Sequence, residues 1–150
     1  MVNGTDKPRV DDPGHEAGQA RILIVDDEAM IRALLTEILS QEGYDVIAAE
    51  DGEVAVSILE VGGIDLIITD MLMPRGSGID VLRAARRCDT RIQVIVMTGH
   101  PSIEGAVELA TLDVTDYISK PFDLDAILEL VGTHLEEQPR DRERGDAEPA

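Results

Sequence analysis

Residues 22–28 read ILIVDDE: four apolar residues without a break, then three acids, Asp26, Asp27 and Glu28. A short run that is apolar on both faces is the pattern of a parallel strand sandwiched between two layers of helices. Working outward, short apolar runs and helical patterns alternate five times. The strands are expected at Arg21–Val25, Tyr44–Ala48, Ile64–Thr69, Ile92–Met97 and Thr115–Ser119. The first helical pattern, about Glu28–Gln41, sets Ile31, Leu34, Leu35, Ile38 and Leu39 on one stripe, with Gly43 past its end. A second runs over about Glu53–Val61 and stops at Gly62 and Gly63. A third covers about Ile79–Cys88, with Val81, Leu82 and Ala85 inward. A fourth follows Pro101 and Ser102 and carries Ile103, Ala106, Val107 and Leu109. The fifth follows Asp123 and carries Leu124, Ile127, Leu128, Val131 and Leu135. A (βα)5 series of this length predicts an α/β fold, a doubly wound five-stranded parallel sheet.

Length and composition agree. The 150 residues suit one domain, and 43% hydrophobic with only 2% aromatic means a core of Ile, Leu, Val, Ala and Met. Residues 1–20 and 136–150 are polar or charged, carry prolines, and are expected to be disordered tails around a domain at 21–135. No apolar run is long enough for a membrane span or a signal peptide. The lone Cys88 builds neither a disulfide framework nor a thiolate metal site, which suits a reducing, cytoplasmic setting. Of a formal charge of −18, most falls in the expected domain, where twenty-one acids face eight basic residues. Such a surface repels nucleic acid and anionic membrane. Arg83, Arg86 and Arg87 of the third helix, with Arg75 and Arg91 nearby, read as a solvated face in preference to a docking patch.

In an open parallel sheet, ligands bind beyond the carboxyl ends of the strands. Strand 1 there ends in Asp26-Asp27-Glu28, strand 3 in Asp70, strand 4 in Thr98 and strand 5 in Lys120, while strand 2 ends in Ala48-Ala49, which adds nothing chemical. Singly, each is ordinary at a loop entrance. Together they fit phosphoryl transfer. Clustered carboxylates call for a hard cation with oxygen ligands, for which Mg²⁺ is the natural candidate. A carboxylate can act as the nucleophile, and a point-charge lysine and a hydroxyl can share the phosphoryl oxygens with the cation.

The runs ILIVDDE, DLIITDMLMP with Gly78 eight residues after Asp70, VIVMTG and DYISKPF resemble the hallmarks of response-regulator receiver domains. Their order agrees, as do the separations of 43 residues (Asp27 to Asp70), 28 (Asp70 to Thr98) and 22 (Thr98 to Lys120). The resemblance covers about Arg21 to Leu135. It implies a CheY-like, flavodoxin-like sheet of strand order 2-1-3-4-5 in a two-component system or phosphorelay. Asp70 is then the phosphoacceptor, receiving the group from a histidine kinase or histidine phosphotransferase. Asp27, Asp70 and the backbone carbonyl of Leu72 ligate Mg²⁺, and Asp26 holds a metal-bound water. Lys120 pairs with Asp70 before transfer and with the phosphoryl group afterwards, and its bond to Pro121 is cis. Thr98 bonds the phosphoryl group and Tyr117 turns inward. That pair switches the face formed by the fourth helix, strand 5 and the fifth helix toward a downstream protein. The family also implies that the phosphodonor's helices dock on the first helix. Ala29, Met30 and Ala33 are the side chains expected to be exposed there and Leu34 and Leu35 those in the core, while Met30 reads equally as a core gap-filler. The implied state is a monomer or a phosphorylation-dependent dimer.

Some readings stay open. Tyr117 also reads as a fixed strand-end aromatic, and Thr98 as a helix cap. Leu72 stands where many relatives carry a polar residue that positions hydrolytic water, which implies slow self-dephosphorylation. Before strand 5, Asp113-Val114-Thr115 replaces a common Gly-Ala. A haloacid-dehalogenase-type phosphatase uses similar groups, but there the nucleophile comes first, in a D-x-D arrangement. A stand-alone receiver, a receiver cut from a longer regulator and a phosphorylation-independent docking domain all fit the fold.

Overall fold

The computed structural model describes residues 19–71, 73–99 and 114–137. Its elements run β1 (Arg21–Val25), α1 (Ala29–Gln41), β2 (Asp45–Ala49), α2 (Gly52–Val61) and β3 (Leu66–Asp70). They continue with α3 (Gly78–Cys88), β4 (Gln93–Thr98), β5 (Asp116–Ser119) and α4 (Leu124–Glu137). The fourth helical pattern of the sequence lies outside the described residues, so α4 is its fifth. The strands pair in parallel in the order β2-β1-β3-β4-β5.

The period of two along each strand divides the core into two layers. Leu23, Val25, Ile67, Val94 and Val96 point to one face and meet Ala55 and Leu59 of α2 and Val81, Leu82 and Ala85 of α3. Ile22, Ile24, Leu66, Ile68, Ile95 and Met97 point to the other and meet Leu35 and Leu39 of α1 and Ile127, Val131 and Leu135 of α4. β1 and β3 are buried along their whole length, which is why their sequences do not alternate. Each fully buried Leu or Ile contributes about 1.5–3 kcal/mol of transfer free energy, so these two layers dominate the cohesion of the domain.

Strand register places the chemistry. Val25 lies opposite Ala49 and Thr69, Asp70 opposite Met97, and Thr98 opposite Ser119. Asp26, Asp70, Thr98 and Lys120 therefore arrive at one edge of the sheet. β3 and β4 each extend one residue past their expected ends at Thr69 and Met97, so Asp70 and Thr98 are the last residues of strands. One expectation fails: Leu34 is 40% exposed, because the buried stripe of α1 narrows to Leu35 and Leu39. No described helix is long and apolar enough to cross a membrane.

Candidate functional site

Asp26 directly follows β1 and is fully buried, an expensive place for a carboxylate unless its oxygens are satisfied. They are. Oδ1 accepts from Glu28 N at 2.9 Å and Oδ2 from Lys120 Nζ at 3.0 Å. The backbone is held as well: Asp26 N donates to Ala49 O at 3.2 Å, and Arg32 Nη1 donates to Asp26 O at 2.8 Å. Asp70 sits at the end of the central strand. Its Oδ1 accepts from Met71 N at 2.7 Å and its Oδ2 from Lys120 Nζ at 3.1 Å. Asp27 is exposed at the mouth.

Carboxylate oxygens of Asp26, Asp27 and Asp70 all lie within 4.8 Å of one another. Lys120 is the one cation among the described residues that pairs with them, and it touches two of the three. Burial works against its ammonium. Hydrogen bonds to Asp26 and Asp70, and the attraction of both, outweigh that and hold the pKa above the ordinary lysine value. Three carboxylates against one ammonium leave a negative excess. The oxygen-only donor set and its open side at Asp27 fit a hard divalent cation.

Thr98 is buried at the end of β4, and its carbonyl accepts from Lys120 N at 2.9 Å, so the backbone of β4 helps aim the lysine. The Lys120–Pro121 bond is cis. Tyr117, on the outer edge strand, is 45% exposed. Gly78 packs so closely under β3 that a Cβ there would lie 2.6 Å from Asp70 O. Leu72 and His100 lie outside the described residues.

Two contributors were not picked out in the sequence. Arg32 is the only Lys or Arg between residues 22 and 74, and that isolation is its one signal in the sequence. The carbonyl of Ala49 carried none, since a backbone atom has no signature in residue type. Beside the site, a cavity of about 530 Å³ opens between α1 and the start of α4, lined by Ile31, Leu34, Phe122 and Leu124, with Lys120 on its wall. Ala29, Met30 and Ala33 are exposed, Met30 at 77%.

Comparison with known proteins gives this geometry its context. The profile of the response regulator receiver domain matches residues 22–132. Sporulation initiation phosphotransferase F of Bacillus subtilis is 36% identical over 115 residues, which cover 77% of this chain and 93% of that protein. The transcriptional regulatory protein CpxR of Escherichia coli is 37% identical over 132 residues, covering 83% of this chain but only 55% of CpxR. Among solved structures, the response regulator protein TrrA of Thermotoga maritima, in complex with Mg²⁺–BeF, superposes with a TM-score of 0.69 at 36% identity. That match covers 78% of this chain and all of TrrA. With the strand order, the acidic edge and the profile in agreement, the chain belongs to the response regulator receiver domain family.

Proposed function

We propose that this receiver takes a phosphoryl group onto Asp70 and uses it to control a partner protein. The observation that carries the reading is the setting of the Asp70 carboxylate. It closes the central strand, one oxygen is fixed by Met71 N–H and the other by Lys120, and two further carboxylates stand beside it.

A carboxylate oxygen of Asp70 attacks the phosphorus of a phosphohistidine. The new O–P bond forms as the N–P bond breaks, and the electron pair leaves on the donor's imidazole nitrogen. Negative charge in such a transfer is spread over three equatorial oxygens, and catalysis consists of aligning and neutralising them. Lys120 supplies one positive charge and moves from the carboxylate to the phosphoryl group. The Thr98 hydroxyl donates to another oxygen. Asp26, Asp27 and Asp70, with the carbonyl of Leu72, would hold Mg²⁺, which neutralises charge on the transferring group. Tyr117 starts on the surface and turns inward after Thr98 moves. With apolar Leu72 two residues past Asp70, water is poorly oriented for hydrolysis and the acyl phosphate is long-lived.

The donor is a histidine kinase or a histidine phosphotransferase. Exposed Ala29, Met30 and Ala33 on α1 and the apolar cavity next to Lys120 support a helical donor docking there. Incubation with phosphoramidate and Mg²⁺, followed by intact mass measurement, tests the chemistry. One phosphoryl group is expected on the wild type and none on Asp70→Asn or in EDTA. Equal labelling of Asp70→Asn would refute the assignment.

A further inference from the structure

The junction of β2 and α2, from Ala49 to Gly52, carries no acid of the cluster, yet it touches both loops that do the positioning. Ala49 O accepts from Asp26 N at 3.2 Å, and three residues later Gly52 N donates to Arg75 O at 2.9 Å. The second contact is main chain against main chain. A Cβ on Gly52 would fall 2.9 Å from both the carbonyl carbon and the carbonyl oxygen of Gly76. Gly76 itself has φ +86°, and a Cβ there would lie 3.1 Å from Gly52 Cα. A methyl at position 52 meets backbone, which cannot rotate aside as a side chain does.

The segment that would have to yield is the one following Asp70. It begins at Met71, whose N–H bonds Asp70 Oδ1, and ends at Gly78, whose N–H bonds Met71 O at 3.0 Å and which lies against Asp70 O. α2 is the firmer partner. Asp51 caps it by accepting from Val54 N at 2.9 Å, and Gly52 and Ala55 are buried in its first turns. A push at Gly76 is therefore passed along two residues to Gly78, and from there to the carbonyl of Asp70.

We infer that Gly52 is a positioning residue for phosphoryl transfer: its backbone contact with Gly76 fixes the loop that orients Asp70. The inference rests on the reading of Asp70 as phosphoacceptor. Gly62 supplies a control, since at φ +95° with nothing within 4 Å of a Cβ it strains the backbone without reaching the loop. In the full chain, Gly52→Ala is expected to shift the Met71 and Gly78 amide resonances. At equal folded fraction it should also slow labelling by phosphoramidate about tenfold or more, the scale of a sub-ångström to ångström misplacement of a reacting group. Gly62→Ala is expected to lower stability while leaving both readouts alone. If Gly52→Ala does not fold, Gly76→Ala tests the same contact from the other side. Amide shifts and rates that merely match those of Gly62→Ala overturn the inference. If the wild type accepts no phosphoryl group at all, the phosphoacceptor reading fails, while the amide shifts still decide whether Gly52 positions the loop.

Discussion

Lys120 Nζ lies 3.1 Å from Asp70 Oδ2, although fifty residues and the whole of β4 separate the two in the fold. The same ammonium reaches Asp26 Oδ2 at 3.0 Å. Before any donor arrives, the site thus uses its single lysine to hold two carboxylates that repel each other. After transfer, the same charge is close enough to serve the phosphoryl oxygens.

Lys120→Met should therefore slow labelling of Asp70 by about a hundredfold or more, the usual cost of removing one preorganised donor from developing charge. The rate of mass increase with phosphoramidate at saturating Mg²⁺ measures this. An unchanged rate would show that the lysine only balances charge in the resting state.

Mg²⁺ should stabilise the folded chain, because the unfolded chain does not gather the three acids. At about a hundred times its Kd the gain is about 2.7 kcal/mol, seen as a rise in melting temperature that EDTA reverses. Asp27→Asn should abolish most of that rise. Without the cation the same variant should be slightly more stable than wild type, since one of three crowded like charges is gone. A Mg²⁺-dependent rise that survives in Asp27→Asn would contradict the cation site.

The raised pKa of Lys120 sets a pH dependence of definite sign. Its folded value exceeds the unfolded one, so its contribution to stability is fully present below about pH 10.4, the ordinary lysine value. It is lost as pH climbs through the folded pKa. Urea titrations in EDTA should show a constant difference between wild type and Lys120→Gln from neutral pH to about pH 10, narrowing above. A difference that shrinks between pH 7 and 9 would contradict the pairing.

Met30 and Leu34 expose apolar surface on α1 without entering either core layer, and Leu34 lines the cavity. Met30→Ser should change folding stability by no more than about 0.5 kcal/mol. The double variant Met30→Ser/Leu34→Ser should slow transfer from a phosphorylated histidine phosphotransferase far more than transfer from phosphoramidate. Equal effects on the two donors would argue against docking on α1.

The fold was legible because its strands are buried on both faces, and unbroken apolar runs such as Ile22–Val25 announce that directly. Strand ends were placed within two residues, and Asp26, Asp70, Thr98 and Lys120 converge at the predicted edge. Leu34 was misread since periodicity alone does not say how wide the covered stripe of a helix is; the cavity beside α4 leaves it open. The junction of β2 and α2 shows no site chemistry in the side chains of Ala48 and Ala49. Its part is played by the Ala49 carbonyl and by the missing Cβ of Gly52, and neither shows as chemistry in a sequence. Arg32 was visible as an isolated cation beside an acidic run, but its target is a backbone carbonyl that only the structure brings within reach.

By the proposed function, Asp70 and no neighbouring acid forms the acyl phosphate. Borohydride reduces an aspartyl phosphate to homoserine, so labelling with phosphoramidate and Mg²⁺, reduction, and peptide sequencing by mass spectrometry read the position directly. Homoserine is expected in place of Asp70 alone. Homoserine in place of Asp26 or Asp27, or a phosphoryl group recovered on a histidine, would contradict it.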